Sequence, residues 1–521
     1  MLISEALLLV LLAAAVACWR VRPGGTRVAA AILLSAAVAA AVALRHGAWP
    51  AWAGLLSACL LAAPFLLRRT RRQRIVAALL GGAGVVALLA CAAGICLFPA
   101  FRLPPPDGPH AIGTRHFEMQ DAARTGLLED PAGTPRRIVV WAWYPAEAGQ
   151  GERRPYFTAD ERELALSVAR NWGLPRFALD RLRGVRTHAR TGAPLSRVQD
   201  RWPVVVFNHG YWGWPGQNTV LMETLASRGY VVFSIGHPHD AGTLRFADGS
   251  AIPTSPNKAA ASVPTDAMLA FWKATSHDRH HAALRDYQRD FDRHRVMRSF
   301  DAWRGDVRFL VDAIERDALP AAAADLARAA DLSRLAFAGM SFGGTVSASA
   351  CHHDARCSAA VNMDGEEFDW SLWNADVRMP LLMLHSDFAV YPLYGPGTGA
   401  PDLTIMDYAY ERWSEAGRHP DVVRAIVLGE KHLGLTDLPL SARNPVRERY
   451  YGRQAGDVSV PAANAMIAAF LDQRLKGEDT GFPARQLEEH RDALRRHDVG
   501  GLREWWRRTE GGAEAAPEPA G

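Results

Sequence analysis

The sequence predicts an α/β domain, a mostly parallel sheet flanked by helices, preceded by a four-helix transmembrane unit. Three observations lead there. Residues 1–100 are almost entirely Ala, Leu, Val and Gly, with charge confined to short clusters. After residue 110, short apolar runs alternate with helical patterns, the rhythm of buried strands joined by crossover helices. One of those runs leads directly into a G-x-S-x-G pattern, in "FAGMSFGGTV" at 337–346.

The N-terminal unit is expected over residues 1–99, with apolar stretches at 2–19, 28–44, 51–67 and 75–98. Each approaches the ~20 residues that carry a helix across a ~30 Å hydrocarbon core. The start, "MLISEALLLV", lacks a basic leader region, and four apolar stretches in succession exceed any targeting peptide. Arginines set the orientation. Arg20, Arg22 and Arg27 lie in the first link, and Arg68, Arg69, Arg71, Arg72 and Arg74 in the third. The second link has only Arg45, with Trp49 and Trp52 as interface anchors. Links rich in arginine stay cytoplasmic, so both ends of the unit should face outward. The expected location is a multi-pass protein of the cytoplasmic membrane with the remainder extracytoplasmic.

The stretch 100–109, within "FPAFRLPPPDGP", reads as a stiff proline linker. The α/β domain should then run over 110–480. "RRIVVWAWYP" (136–145), "WPVVVFNHG" (202–210) and "YVVFSIGHP" (230–238) are its first strands, the latter two being continuous apolar runs suited to burial on both faces. A polar insert over about 241–300 follows and leads into a helix, where Phe300, Trp303, Val307, Leu310 and Ile314 recur at helical spacing. Later strands are "LSRLAFAG", "CSAAVNMDG", "MPLLMLHSD" and "VVRAIVLGE". A helical extension is expected over 481–508 and a disordered tail over 509–521, "TEGGAEAAPEPAG". A net charge of +4 gives no basis for nucleic-acid binding.

A serine hydroxyl is a poor nucleophile at neutral pH. It needs a base, a group to orient that base, and donors for the oxyanion. An apolar strand, then G-x-S-x-G, then small residues opening a helix, makes Ser341 the candidate nucleophile on a strained strand-to-helix turn. Its partners should follow in the order acid, then histidine, at the ends of later strands. Asp364 and Asp387 both qualify as the acid. His432, in "KHLGLTD", is the histidine just after the final strand, whereas His419 precedes that strand and lies at its wrong end. The oxyanion donors would be the backbone N–H groups of Phe342 and of Tyr211, the latter in "FNHGYWGWPG".

Taken together, "VVWAWYPA", "PVVVFNHGYWG", "LASRGYVVFSIGHPHD", "GMSFGG", "AAVNMDG", "PLLMLHSD" and "KHLGLTDLPL" resemble the platelet-activating-factor acetylhydrolase-like branch of the α/β hydrolases, with its bacterial lipase- and esterase-like relatives. The resemblance covers roughly 110–477. It implies an α/β-hydrolase fold, cofactor-free hydrolysis of acyl or lipid esters, and an acid on the strand after the nucleophile, which maps onto Asp364. The N-terminal helices and the insert depart from the family pattern. Acyl transfer through the same acyl-enzyme, or a non-catalytic sensor that keeps the fold, are the alternative readings. Cys351 and Cys357 would pair in an oxidising compartment. "CHHDARC" runs from a helix end into the next strand, so its residues cannot all face one ion, and "HPHD" and "HDRHH" lack partners in a zinc-site spacing, so no metal site is expected.

Overall fold

The computed structural model describes residues 2–21, 26–67, 70–127, 130–255, 276–291, 295–391 and 403–509, with isolated positions between 266 and 274. Arg22, Arg68, Arg69, much of the insert and the tail beyond 509 lie outside the described residues. Chain contacts divide the protein into two compact units. One comprises Met1–Leu103, Pro155–Thr187 and Leu440–Arg449; the other comprises Pro104–Arg154, His188–Pro439 and Tyr450–Gly521.

In the first unit the apolar stretches form α1 (Ile3–Val21), α2 (Thr26–Arg45), α3 (Ala51–Leu66) and α4 (Arg71–Leu97). The runs Arg27–Arg45 and Arg71–Leu97 are long and apolar enough to cross a membrane; Ile3–Trp19 and Ala51–Leu66 are shorter apolar helices. Thr70 and Gln73 start α4 with a reciprocal capping box, satisfying two N–H groups the first turn leaves without partners. Small residues let the helices approach. A Cβ on Gly54 would lie 2.7 Å from Leu8 Cδ2, and Ser57 Oγ donates to the Gly84 carbonyl at 2.8 Å. Segments from later in the chain close over one end of the bundle. Arg181 Nη1 reaches Glu5 at 2.5 Å with both side chains buried, and the Phe177 ring lies 4.0 Å from Trp49 and 5.9 Å from Phe98.

The second unit is built on an eleven-stranded sheet. Its strands are β1 (Ala111–Thr125), β2 (Pro135–Ala146), β3 (Glu152–Pro155), β4 (Arg186–Thr191), β5 (Trp202–Asn208), β6 (Val231–Gly236), β9 (Ala330–Met340), β10 (Cys357–Met363), β11 (Leu381–His385), β12 (Val422–Val427) and β13 (Leu494–Arg496), while β7 (Leu244–Arg245) and β8 (Ala251–Ile252) pair separately. The order is β13-β12-β11-β10-β9-β5-β6-β2-β1-β4-β3. The six strands from β12 to β6 are parallel to their neighbours; β2 and β13 join antiparallel at the two sides. This is the α/β-hydrolase arrangement.

Every residue of β5 and β6 is buried, which explains their unbroken apolar character: helices cover both faces and leave no polar side. The helix Arg295–Glu315 buries Phe300, Trp303, Val307, Leu310 and Ile314, the residues its periodicity selects. The carboxyl ends of β5, β9, β10 and β12 converge, and open α/β sheets place their ligand crevices outside such ends.

Candidate active site

Ser341 directly follows β9 and stands before the helix Phe342–His353 with φ +56° and ψ −129°, a conformation non-glycine residues rarely adopt. Its own N–H donates to the Met363 carbonyl at 2.7 Å, and its carbonyl accepts from Gly344 N at 2.8 Å. The flanking glycines are required by contact with backbone. A Cβ on Gly339 would lie 2.2 Å from the Gly343 carbonyl oxygen, and one on Gly343 would lie 2.1 Å from that of Asn208.

The side chain of Ser341 meets His432. Oγ lies 2.8 Å from His432 Nε2, and His432 Nδ1 lies 2.6 Å from Asp364 Oδ2. A carboxylate can only accept, so Nδ1 carries the proton facing Asp364, and Nε2 of a neutral ring is left to accept from Ser341. Asp364 follows β10, is buried, and has φ +60°. Its Oδ1 accepts from Ser386 N at 2.7 Å and Ser386 Oγ at 3.1 Å. Burial by itself would raise this carboxyl. The His432 hydrogen bond and charge, aided by the Ser386 N–H, outweigh burial and hold it below the usual carboxylate range.

Asp387 spends its carboxylate elsewhere. Oδ1 accepts from Ala389 N at 3.0 Å and Oδ2 from Gly429 N at 2.7 Å. His419 stays before β12, where its Nδ1 accepts from Asp421 N at 3.2 Å. Cys351 and Cys357 are joined as a disulfide with Cα atoms 5.1 Å apart, between the helix Phe342–His353 and β10.

The loop after β5 lies against the serine: a Cβ on Gly210 would sit 3.4 Å from Ser341 Cβ. Phe342 N–H opens its helix, where no intrahelical acceptor exists. The Tyr211 ring meets the Phe342 ring edge-on at 5.0 Å. The loop's shape is held from behind. Gly210 N donates to Gln217 Oε1 at 3.0 Å, and Trp212 N donates to the Asp240 carbonyl at 2.6 Å. The Asp240 carboxylate in turn accepts from Arg295 Nη1 at 2.8 Å and Trp303 Nε1 at 3.0 Å, while Arg295 also bonds Tyr211 Oη.

Beneath that loop is a second buried system. Asp306 accepts from Arg136 Nη2 at 2.7 Å and Arg124 Nη2 at 2.9 Å, and lies 2.8 Å from His237 Nδ1. His237 Nε2 continues to Asn208 Oδ1 at 3.1 Å, and its ring stacks on Trp303 at 3.7 Å. Burial would raise the Asp306 carboxyl, but Arg136 and His237 hold it well below the carboxylate range. Sequence reasoning missed Asp306 and Arg136 and left "HPHD" as ordinary loop residues. The available signal was a lone aspartate on the apolar face of a helix, one turn after Trp303.

Among the described residues, one three-donor group suits a metal ion: His385, Asp407 and His497, all buried. Their sequence separation hides them from a motif search.

Residues 97–390 match the model of a family described as platelet-activating factor acetylhydrolase, isoform II. The match contains Ser341 and Asp364; His432 lies beyond it. The chain is 24% identical over 319 residues to a probable 1-alkyl-2-acetylglycerophosphocholine esterase of Arthroderma benhamiae, covering 58% of this chain and 67% of that protein. Among solved structures, a ferulic acid esterase from Streptomyces cinnamoneus aligns with a TM-score of 0.54 at 24% identity, over 76% of this chain and 99% of the esterase. That likeness is one of fold.

Proposed function

Because the chain belongs to the platelet-activating factor acetylhydrolase isoform II family and is thereby an ester-hydrolysing enzyme, we propose that Ser341, His432 and Asp364 are its nucleophile, base and orienting acid. The observation that carries this is the unbroken hydrogen-bond chain from Ser341 Oγ through His432 to Asp364.

Ser341 Oγ attacks the ester carbonyl carbon while its proton passes to His432 Nε2. The carbonyl oxygen becomes an oxyanion, held by the N–H groups of Phe342 and Tyr211. Collapse breaks the ester C–O bond, and the leaving alkoxide takes the proton from His432. Water then attacks the acyl-serine, giving its proton to Nε2; His432 returns that proton to Oγ as the acid is released. Asp364 keeps the ring in the reactive tautomer and balances its positive charge between the steps. No cofactor enters.

The substrate class proposed is carboxylic esters of lipid alcohols. A glycerophospholipid with a short acyl group is the leading member, in line with the family and the Arthroderma relative's name. We further propose that residues 1–99 span the cytoplasmic membrane four times, with 100–109 as linker, a hydrolase domain over 110–480, a C-terminal extension over 481–508, and the catalytic unit on the extracytoplasmic side. The arginine-poor second link and the Cys351–Cys357 disulfide favour that side.

A fluorophosphonate probe should label the full-length protein and not Ser341→Ala; equal labelling of both overturns the nucleophile assignment. The unlabelled full-length protein should hydrolyse a 2-acetyl glycerophospholipid, and prior reaction with the fluorophosphonate should abolish that activity. Alkaline phosphatase fused to the C-terminus should be active in cells, and a silent fusion beside normal expression would reverse the topology.

A further inference from the structure

His385 at the end of β11, Asp407 in the turn Ile405–Tyr408, and His497 directly after β13 come together in the fold. Their donor atoms all lie within 4.8 Å of one another, and all three residues are buried. His497 Nε2 stands 3.0 Å from each Asp407 oxygen. Among the described residues, neither ring nitrogen of His385 has a hydrogen-bond partner, although both are fully buried. A neutral imidazole carries one donor and one acceptor, and burying both unpaired is costly. A neutral imidazole lone pair, beside a carboxylate and a second imidazole, is the donor set that a borderline dication takes.

We infer that His385, Asp407 and His497 bind one divalent metal ion of the zinc class, with water as a fourth ligand. Donors around a four-coordinate zinc sit ~3.3 Å apart, given bonds of ~2.0–2.1 Å. The His497–Asp407 pair is at that spacing already, and His385 closes the remaining distance of about 1.5 Å by turning about its side-chain torsions. The supporting shell is present. Asp407 Oδ2 also accepts from Thr404 N at 2.8 Å, which fixes the carboxylate. Arg424 faces the site with Nε 3.9 Å from Asp407, but its guanidinium is bound to Glu411 and to the Ala409 carbonyl. Two carboxylates against one guanidinium leave the pocket with excess negative charge for the ion.

The site's position gives it a structural role. It fastens the C-terminal segment carrying His497 to β11, and His385 immediately precedes Ser386, whose N and Oγ grip Asp364. It is distinct from the hydrolytic chemistry, and its loss would leave the Ser341 assignment standing.

The test uses the full chain in detergent, without a histidine tag, stripped with chelator and titrated with zinc or cobalt chloride. The expected result is one equivalent of zinc per chain by elemental analysis, a rise of several degrees in melting temperature on zinc addition, and visible d–d bands of four-coordinate cobalt. His385→Gln and His497→Gln, each retaining the wild-type circular dichroism, should lose the bands. A wild-type protein with no stoichiometric zinc, no cobalt bands and no thermal shift overturns the site whatever the variants do. So do bands that persist in both variants. Fluorophosphonate labelling of the wild-type samples reports on Ser341 separately.

Discussion

Glu367 lies three residues after Asp364, fully buried, and its ionisation should set much of the pH dependence of stability. Burial, reinforced by the charge of Asp369, pushes its carboxyl from 4.5 up to about 8. Oε1 accepts from Asp369 N at 2.6 Å, and this bond together with the Tyr410 hydroxyl only partly offsets the burial. The folded pKa is raised, so the unfolded chain releases this proton first. Below about pH 4.5 both states hold it, and the acid's contribution is at its most favourable. Between there and pH 8 only the unfolded chain ionises, so the native state loses ~1.4 kcal/mol per pH unit, ~5 kcal/mol in all. Above pH 8 both forms ionise and the loss levels off. Glu367→Gln keeps the shape and the acceptor at Oε1 but removes the ionisation. Between pH 5 and 8 its unfolding free energy should therefore fall ~4 kcal/mol less than the wild type's. Urea unfolding of the full chain, followed by tryptophan fluorescence at pH 5, 6, 7 and 8, measures this difference. Glu366, raised by burial to about 7, is common to both proteins and cancels. Parallel pH curves for the two proteins would refute the reasoning.

Asp364→Asn should lower kcat/KM on a p-nitrophenyl ester by ~10³–10⁴ through loss of the reactive tautomer, and Asp387→Asn by less than ~10; the reverse ranking would move the acid to Asp387. Asp306→Asn leaves Arg136 buried against a neutral group and should destabilise by ~3–5 kcal/mol, read as a shifted urea midpoint at constant slope. A change below ~0.5 kcal/mol, typical of ordinary surface sites, would show that the buried charge system is not structural. Gly343→Ala forces a methyl onto the Asn208 carbonyl, 2.1 Å away, and should yield little protein that reacts with a fluorophosphonate; labelling at the wild-type level would mean that the turn relaxes freely.

What the sequence made legible is what recurs locally. Continuous apolar runs marked β5 and β6 because helices on both faces demand them, and a 3.6-residue period marked Phe300 to Ile314. The turn at Ser341 was visible because two backbone contacts admit only glycine at 339 and 343. Groups brought together across the fold left no such trace. Arg136 on β2 and Asp306 on a helix are 170 residues apart and share no motif, and the same holds for His385, Asp407 and His497. The boundary of the first unit was also hidden. Residues 155–187 have ordinary polar composition, yet Arg181 and Phe177 pack with Glu5 and Trp49, and an ion pair closed by a distant arginine has no periodic signature.

The two candidate acids show how strand order separates residues that motif spacing cannot. Ser341, Asp364 and Asp387 each stand just past the end of a strand, on β9, β10 and β11 in turn. Each donates its N–H to a carbonyl on the next strand or its loop: Ser341 to Met363 at 2.7 Å, Asp364 to Leu384 at 2.7 Å, and Asp387 to Glu430 at 2.8 Å. Each residue is thus braced by its neighbour, which is how Ser341 and Asp364 are both kept at positive φ against their own preference. The same ladder separates the acids. Asp387 sits directly beside the loop leaving β12, and its carboxylate caps that loop at Gly429 N, 2.7 Å away, three residues before His432. Asp364, one strand further back, stands where the imidazole arrives once the loop has turned. Asp387 is therefore consumed in aiming the loop that carries His432, and Asp364 receives the ring. Identical strand–Asp patterns in sequence become different roles because one aspartate neighbours β12 and the other does not.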